Sequence, residues 1–155
     1  MVIPVLEALD ITGKTITTDA LLTQRTLANY VLEHDAHYVF TVKDNQPTLL
    51  ADIRLIFEGR AQPDFSEPLT LAHGRIEQRA IWTTTRLNHY LNFPGVGQAF
   101  VIERDVIEKT TGKRSTETVY GLTDHTPDSA DAAAVLAYNR GHWTVENSCH
   151  YLLDW

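Results

Sequence analysis

The stretch 15-TITTDALLTQRTLANYVLEHDAHYVFTVKD-44 decides how this chain folds. Thr15 to Thr18 is a short β-prone run that stops at Asp19. From Ala20 to about His34, Leu27, Tyr30 and Val31 fall at i, i+3 and i+4, which is one face of a helix. His37 to Val42, HYVFTV, is dense in β-branched and aromatic side chains and too short for a helix, so it reads as a buried strand ending at the turn Lys43-Asp44-Asn45. Strand, helix and strand in that order predict two parallel neighbours joined by a right-handed crossover.

Downstream, Pro47 suits a first helical turn, and Leu49, Leu50, Ile53, Ile56 and Phe57 recur at the helical period until Gly59 ends it. Residues 60–68, RAQPDFSEP, carry two prolines and no periodicity and read as a loop. The character then changes: 75–85, 99–107 and 115–122 look like strands, the last two joined through 108-EKTTGK-113 as a hairpin. From Pro127 the chain turns helical, with a cap at Asp128 or Ser129, a helix over Ala130 to Tyr138, and a second helical stretch from about His142. The fold class is α/β, divided as 1–72, an antiparallel insertion over 73–124, and C-terminal helices over 125–155.

A chain of 155 residues with 43% apolar residues is long enough to bury a core without disulfides or structural metals. Its single cysteine, Cys149, excludes an internal disulfide framework. No run approaches the ~18 apolar residues of a membrane span, and MVIPVLEALD lacks the basic start and apolar block of a signal peptide, so a soluble, cytoplasmic protein is expected. The net charge of −7 opposes a simple nucleic-acid-binding module, which needs a surplus of Lys and Arg on some face. Carboxylates that hold divalent metal, however, count here as plain negative charge.

Chemistry concentrates in four places. Asp19, directly after a strand and before a helix, stands where the C-terminal edge of an α/β sheet presents side chains to a ligand; it equally suits capping of the helix that follows. Lys43 ends the second strand at the same predicted edge, or is simply solvated. In 73-HGRIEQR-79, Arg75 and Arg79 suit a phosphate backbone, since a guanidinium forks onto phosphate; the alternative is the solvated face of an edge strand with cross-strand ion pairs. The densest cluster is 138-YNRGHWTVENSCH-150, where His142, Glu146 and His150 line one helical face. A zinc site there fails on distance, because i and i+8 lie about 12 Å apart along a helix. The plain alternative is a helix that packs Trp143 into the core and solvates its charged face.

Taken together, 17-TTDALLTQ-24, 35-DAHYVFTVKDNQPTLLADI-53, 73-HGRIEQR-79, 117-ETVYGLTD-124 and 140-RGHWTVENSCHYLLD-154 resemble the H-repeat-associated branch of bacterial insertion-sequence transposases, of the DDE class. The resemblance spans nearly the whole chain. It implies a ribonuclease-H-like core, here lacking its N-terminal strands, interrupted by a β-rich insertion before the last catalytic helix. It implies three carboxylates holding two magnesium (or manganese) ions that activate water or a 3′-hydroxyl against DNA phosphodiesters. Asp19 and Glu146 match two of those carboxylates as catalytic and metal-binding residues. His142 stands where many relatives in the wider superfamily carry arginine, implying a phosphate contact. DNA, as transposon ends, is the implied partner, and the complete enzyme is expected as a homodimer.

The family's first carboxylate belongs to a segment before the stretch represented here, and Asp10, in a loop position, does not replace it; the family also continues past the LLD motif, so both ends read as truncated. Three functions follow. The first is a fragment of a DDE transposase that cleaves and joins DNA. The second is a non-catalytic remnant that keeps the fold or only binds DNA or a partner, favoured by the missing carboxylate. The third, a zinc hydrolase on His142 and Glu146, needs a further converging ligand that the helical spacing does not offer. With two of three carboxylates, the isolated chain is expected to be inactive.

Overall fold

The computed structural model of the chain describes residues 10–18, 25–44 and 46–140. Their elements, in order, are β1 (Thr15–Thr18), α1 (Arg25–Glu33), β2 (His37–Val42), α2 (Pro47–Ile56), β3 (Phe65–Ser66), β4 (Thr70–Ala72), β5 (Arg75–Thr84), β6 (Gln98–Glu108), β7 (Arg114–Thr123) and α3 (Ala132–Arg140). The strands form one mixed sheet in the order β1-β2-β7-β6-β5-β3, with β4 also paired to β5. β1 and β2 are parallel, Thr15 opposite His37 and Thr18 opposite Phe40, as the opening stretch predicts. β7 adds antiparallel to the other side of β2, Val42 opposite Tyr120. The strands of 73–124 therefore extend the same sheet.

Alternation along the strands assigns each face its helices. Tyr38, Phe40 and Val42 of β2 share one core with Leu27, Ala28 and Val31 of α1 and Leu50 and Ile53 of α2. Val39 points the other way, into a second core with Ile81, Phe100, Ile102 and α3's Val135 and Leu136. A sheet covered on both sides explains why HYVFTV is apolar almost without interruption. Tyr38 is fully buried, and its one polar atom donates to the Pro94 carbonyl at 2.7 Å. Near the C-terminal end of β7, where it pairs with β2, the layers leave no room for a side chain: a Cβ on Gly121 meets the Phe100 ring and the Phe40 carbonyl.

Two expectations are corrected. The loop expected over 60–68 contains β3, which pairs antiparallel with β5 through Phe65 and Ile81. Its residues are exposed, as are those of β4, so neither strand shows the hydrophobic alternation that marks a half-buried strand. The strand carrying Arg75, Glu77 and Arg79 is not an edge; β6 flanks it on one side and β3 and β4 on the other. The expected cross-strand ion pair is present, between Glu77 and Arg104 of β6. The helical stretch expected from about His142 lies outside the described residues.

Candidate nucleic-acid interface

Because β1 and β2 are parallel, Thr18 and Val42 close them at one edge of the sheet, and the exposed Lys43 follows at that edge. Asp19 is the next residue after Thr18 in sequence, but Asp19, His142 and Glu146 lie outside the described residues, as does the expected approach of the two carboxylates. The Thr18 hydroxyl is buried there and has no hydrogen-bond partner among the described residues. A cavity of about 470 Å³ lies where β2 passes into α2, lined by Arg25, Gln46, Asp52, Tyr90 and Asn92 among others. Arg25 Nη1 donates to Asn92 Oδ1 across it at 2.9 Å.

Past this edge β5, β6 and β7 continue without β1 and β2, with β3 and β4 paired along the outer side of β5. Val42 faces Tyr120, whereas Glu117 of β7 lies level with Arg104 of β6 and Arg79 of β5. That row stands three residues beyond the end of β2, about 10 Å at the rise of a strand. It shares the α3 face with Ile81 and Ile102, each two positions away along its strand. Arg140, the last residue of α3, reaches the same place, and a cavity of about 420 Å³ opens there, lined by Arg79, Arg104, Glu117, Asn139 and Arg140 with Ile102 and Val119.

Carboxylates surround the basic groups. Arg104 pairs with Glu77 and, at 3.5 Å, with Glu117; Arg140 pairs with Glu67 at 2.6 Å. Desolvation raises the Glu77 carboxyl's proton affinity, but the hydrogen bond and charge of Arg104, helped by Arg79 and Arg75, outweigh it and hold Glu77 below the ordinary range. The Arg79 guanidinium makes no hydrogen bond or ion pair among the described residues, although its backbone carbonyl accepts from the Glu67 N–H at 2.9 Å. Burial, then the like charges of Arg140 and Arg104, lower its proton affinity, yet the guanidinium stays charged. Arg75 is exposed at the tip of β5, opposite Glu108.

The opposite edge carries a second polar cluster. Asp124 accepts from the Tyr38 backbone N–H at 2.7 Å and lies 2.8 Å from His37 Nδ1. His37 stacks on His125, with centroids 4.0 Å apart, and His125 stacks on Tyr138 of α3. His125 Nε2 lies 3.0 Å from Thr15 Oγ1, and its Nδ1 lies 2.6 Å from Ser129 Oγ. Burial first, then the His37 charge, lowers the His125 pKa. This cluster ties β1, β2 and α3 together at the end of the sheet away from Lys43.

Comparison with known proteins bears on the whole length: the family profile described as transposase DDE domain matches residues 1–155. The chain belongs to the transposase DDE domain family. This DDE domain is 31% identical over 130 residues to a protein in the dhlA 3′ region of Xanthobacter autotrophicus, covering 80% of the chain and 43% of that protein. It is 29% identical over 163 aligned positions to the protein YbfL of Escherichia coli (strain K12), covering 96% of the chain and 41% of YbfL. The chain thus spans about two fifths of the length of the curated relatives it matches. Among solved structures it is similar to the piggyBac transposase synaptic complex with hairpin DNA, at a TM-score of 0.40 and 16% identity, covering 96% of this chain and 26% of that one.

Within the DDE domain, the residues expected to meet DNA divide in two. Lys43 stands at the β1/β2 edge and Arg75 and Arg79 stand on the overhanging strands. Arg79 is joined by Arg104 and Arg140, which sequence reading left out as ligand-facing groups. A signal for Arg104 existed. Arg79-Ala-Ile81 and Ile102-Glu-Arg104 are mirror-image triplets, and antiparallel pairing of the isoleucines sets the arginines opposite each other. No helix among the described residues is long and apolar enough to cross a membrane.

Proposed function

We propose that this DDE domain supplies two of the three metal-binding carboxylates, Asp19 and Glu146, of an insertion-sequence transposase of the H-repeat-associated branch. The substrate is DNA, at the ends of the mobile element. The observation that carries the reading is the parallel β1/β2 pair, whose β1 ends at Thr18, the residue before Asp19, in a chain matched throughout by the transposase DDE domain. In this reading β1 and β2 are two parallel strands of a ribonuclease-H-like core, and β5 to β7, within 73–124, are the insertion that widens its sheet. The protein works in the cytoplasm, where its DNA lies, and as a homodimer when complete.

The donors suit hard divalent ions: carboxylate oxygens at 19 and 146, with the Thr18 hydroxyl, one position before Asp19, buried and without a hydrogen-bond partner among the described residues. Two magnesium or manganese ions supply activation of the attacking oxygen and stabilisation of the leaving one in an in-line displacement at phosphorus. The chain's own task is to hold and neutralise. Asp19 and Glu146 fix the ions, Lys43 and His142 meet phosphates near the edge, and Arg75 and Arg79 meet the backbone further out.

Calorimetric titration of the 155-residue chain with manganese tests the site. Weak binding that each of Asp19→Ala and Glu146→Ala removes is the expected result. Binding unchanged in both variants overturns the assignment. Incubated with supercoiled plasmid in either metal, the chain is expected not to nick, because two carboxylates lack the third that completes the two-ion cluster.

A further inference from the structure

We infer that the cavity formed by Arg79, Arg104 and Arg140 is a phosphate-binding pocket that takes a single phosphodiester of a DNA backbone, with Arg79 as its principal donor. The inference rests on the reading of DNA as substrate and deepens it, from a basic surface to one anchored contact.

The unequal pairing of the arginines carries the argument. Three arginines among the described residues are half-buried: Arg60, Arg79 and Arg104. Arg60 is engaged by Glu103, by the Phe57 carbonyl and by the Trp82 ring. Arg104 is engaged by Glu77 and Glu117. Arg79 keeps the five N–H donors of its guanidinium without a protein acceptor among the described residues, although it is level with both Arg104 and Glu117. Those donors stay open to the cavity and its solvent, and an anion with several oxygens satisfies such a fork best.

The neighbours position the fork without occupying it. Glu77 and Glu117 hold Arg104, and Glu67 holds Arg140, so both cations are fixed before a ligand arrives. Fixed donors lose little freedom on binding. Glu117 lines the cavity, and Glu77 and Glu67 pair with Arg104 and Arg140, so three carboxylates balance the three cations overall and the pocket selects by geometry more than by bulk charge. A cavity of about 420 Å³ has room for a phosphate and parts of its flanking sugars, and Asn139 adds an amide at the rim. Its place on the overhang, about 10 Å past the end of β2, sets it beside the path a strand follows across the Lys43 edge.

The experiment measures binding of the full chain to a short fluorescent duplex over a range of salt concentration, with inorganic pyrophosphate as a second probe read by thermal shift. For Arg79→Ala the expected result is weaker binding and a salt slope shallower by about 0.9, the loss of one phosphate contact. Arg79→Lys is expected to keep the slope but bind more weakly, since the point charge remains and the fork is lost. Circular dichroism checks that both variants fold. If the wild-type chain binds DNA and Arg79→Ala matches it in slope and affinity, the pocket is refuted while the DNA reading stands. If the wild-type chain binds no DNA yet pyrophosphate raises its melting temperature only while Arg79 is present, the anion pocket stands and DNA as its ligand is refuted. If neither probe depends on Arg79, the inference fails outright.

Discussion

At the scale of single residues, His125 and Tyr38 make opposite demands on their surroundings. His125 is buried against His37, Asp124, Thr15, Ser129 and Tyr138, and its pKa is lowered from 6.5. A histidine held neutral in the folded state binds protons more readily when unfolded, so its contribution to stability is full above about pH 6.5 and is lost as pH falls below it. Thermal melts from about pH 8 to about pH 5 are expected to show that decline, and His125→Gln to flatten the part that begins near pH 6.5. An unchanged slope in the variant means that other groups drive it. Tyr38→Phe removes a bond to the Pro94 carbonyl without opening a cavity, and is expected to cost about 1 kcal/mol in denaturant titration. The same scale shows what sequence conceals. Asp19 and Lys43 stand out because a strand stops beside each, a local pattern. Arg79 and Arg104 become one site only through the register of β5 and β6, and the Asp124–His37 contact joins residues 87 positions apart.

At the scale of elements, legibility follows burial. β2 and α2 are read at nearly their observed limits, because HYVFTV faces a core on both sides and Pro47 opens a helix whose Leu50 and Ile53 are buried. The β6–β7 hairpin is legible for the same reason at its inner half. β3 and β4 are not, since their exposed residues carry no period, and backbone pairing to β5 alone defines them. The pairing of β7 with β2 has no local cue, yet Gly121 records it: the residue sits where β2, β6 and β7 press together. Gly121→Ala forces a methyl group against backbone and the Phe100 ring. Equilibrium unfolding is expected to show a loss of about 1–3 kcal/mol, and a neutral result contradicts the close packing of β7.

At the scale of the whole molecule, one continuous sheet links the β1/β2 pair to the overhang, with α3 and the α1/α2 layer on opposite faces. A shared sheet predicts a shared fate on unfolding. Amides of β2, β6 and β7 are expected to exchange hydrogen with one common opening free energy; a β5–β7 unit that opens well before β2 shows that the two parts melt separately. The overhang also sets a length. Each strand residue past Val42 advances the arginine row by about 3.3 Å, close to the rise of one base pair in duplex DNA, about 3.4 Å. If the proposed Arg79 pocket holds a phosphate of DNA running along the strands, the sheet is a ruler graduated in nucleotides, with the end of β2 as its zero and Arg79 about three divisions out. Lengthening β5, β6 and β7 together by two residues between those marks preserves the pleat and is then expected to move the phosphate contact by about two base pairs.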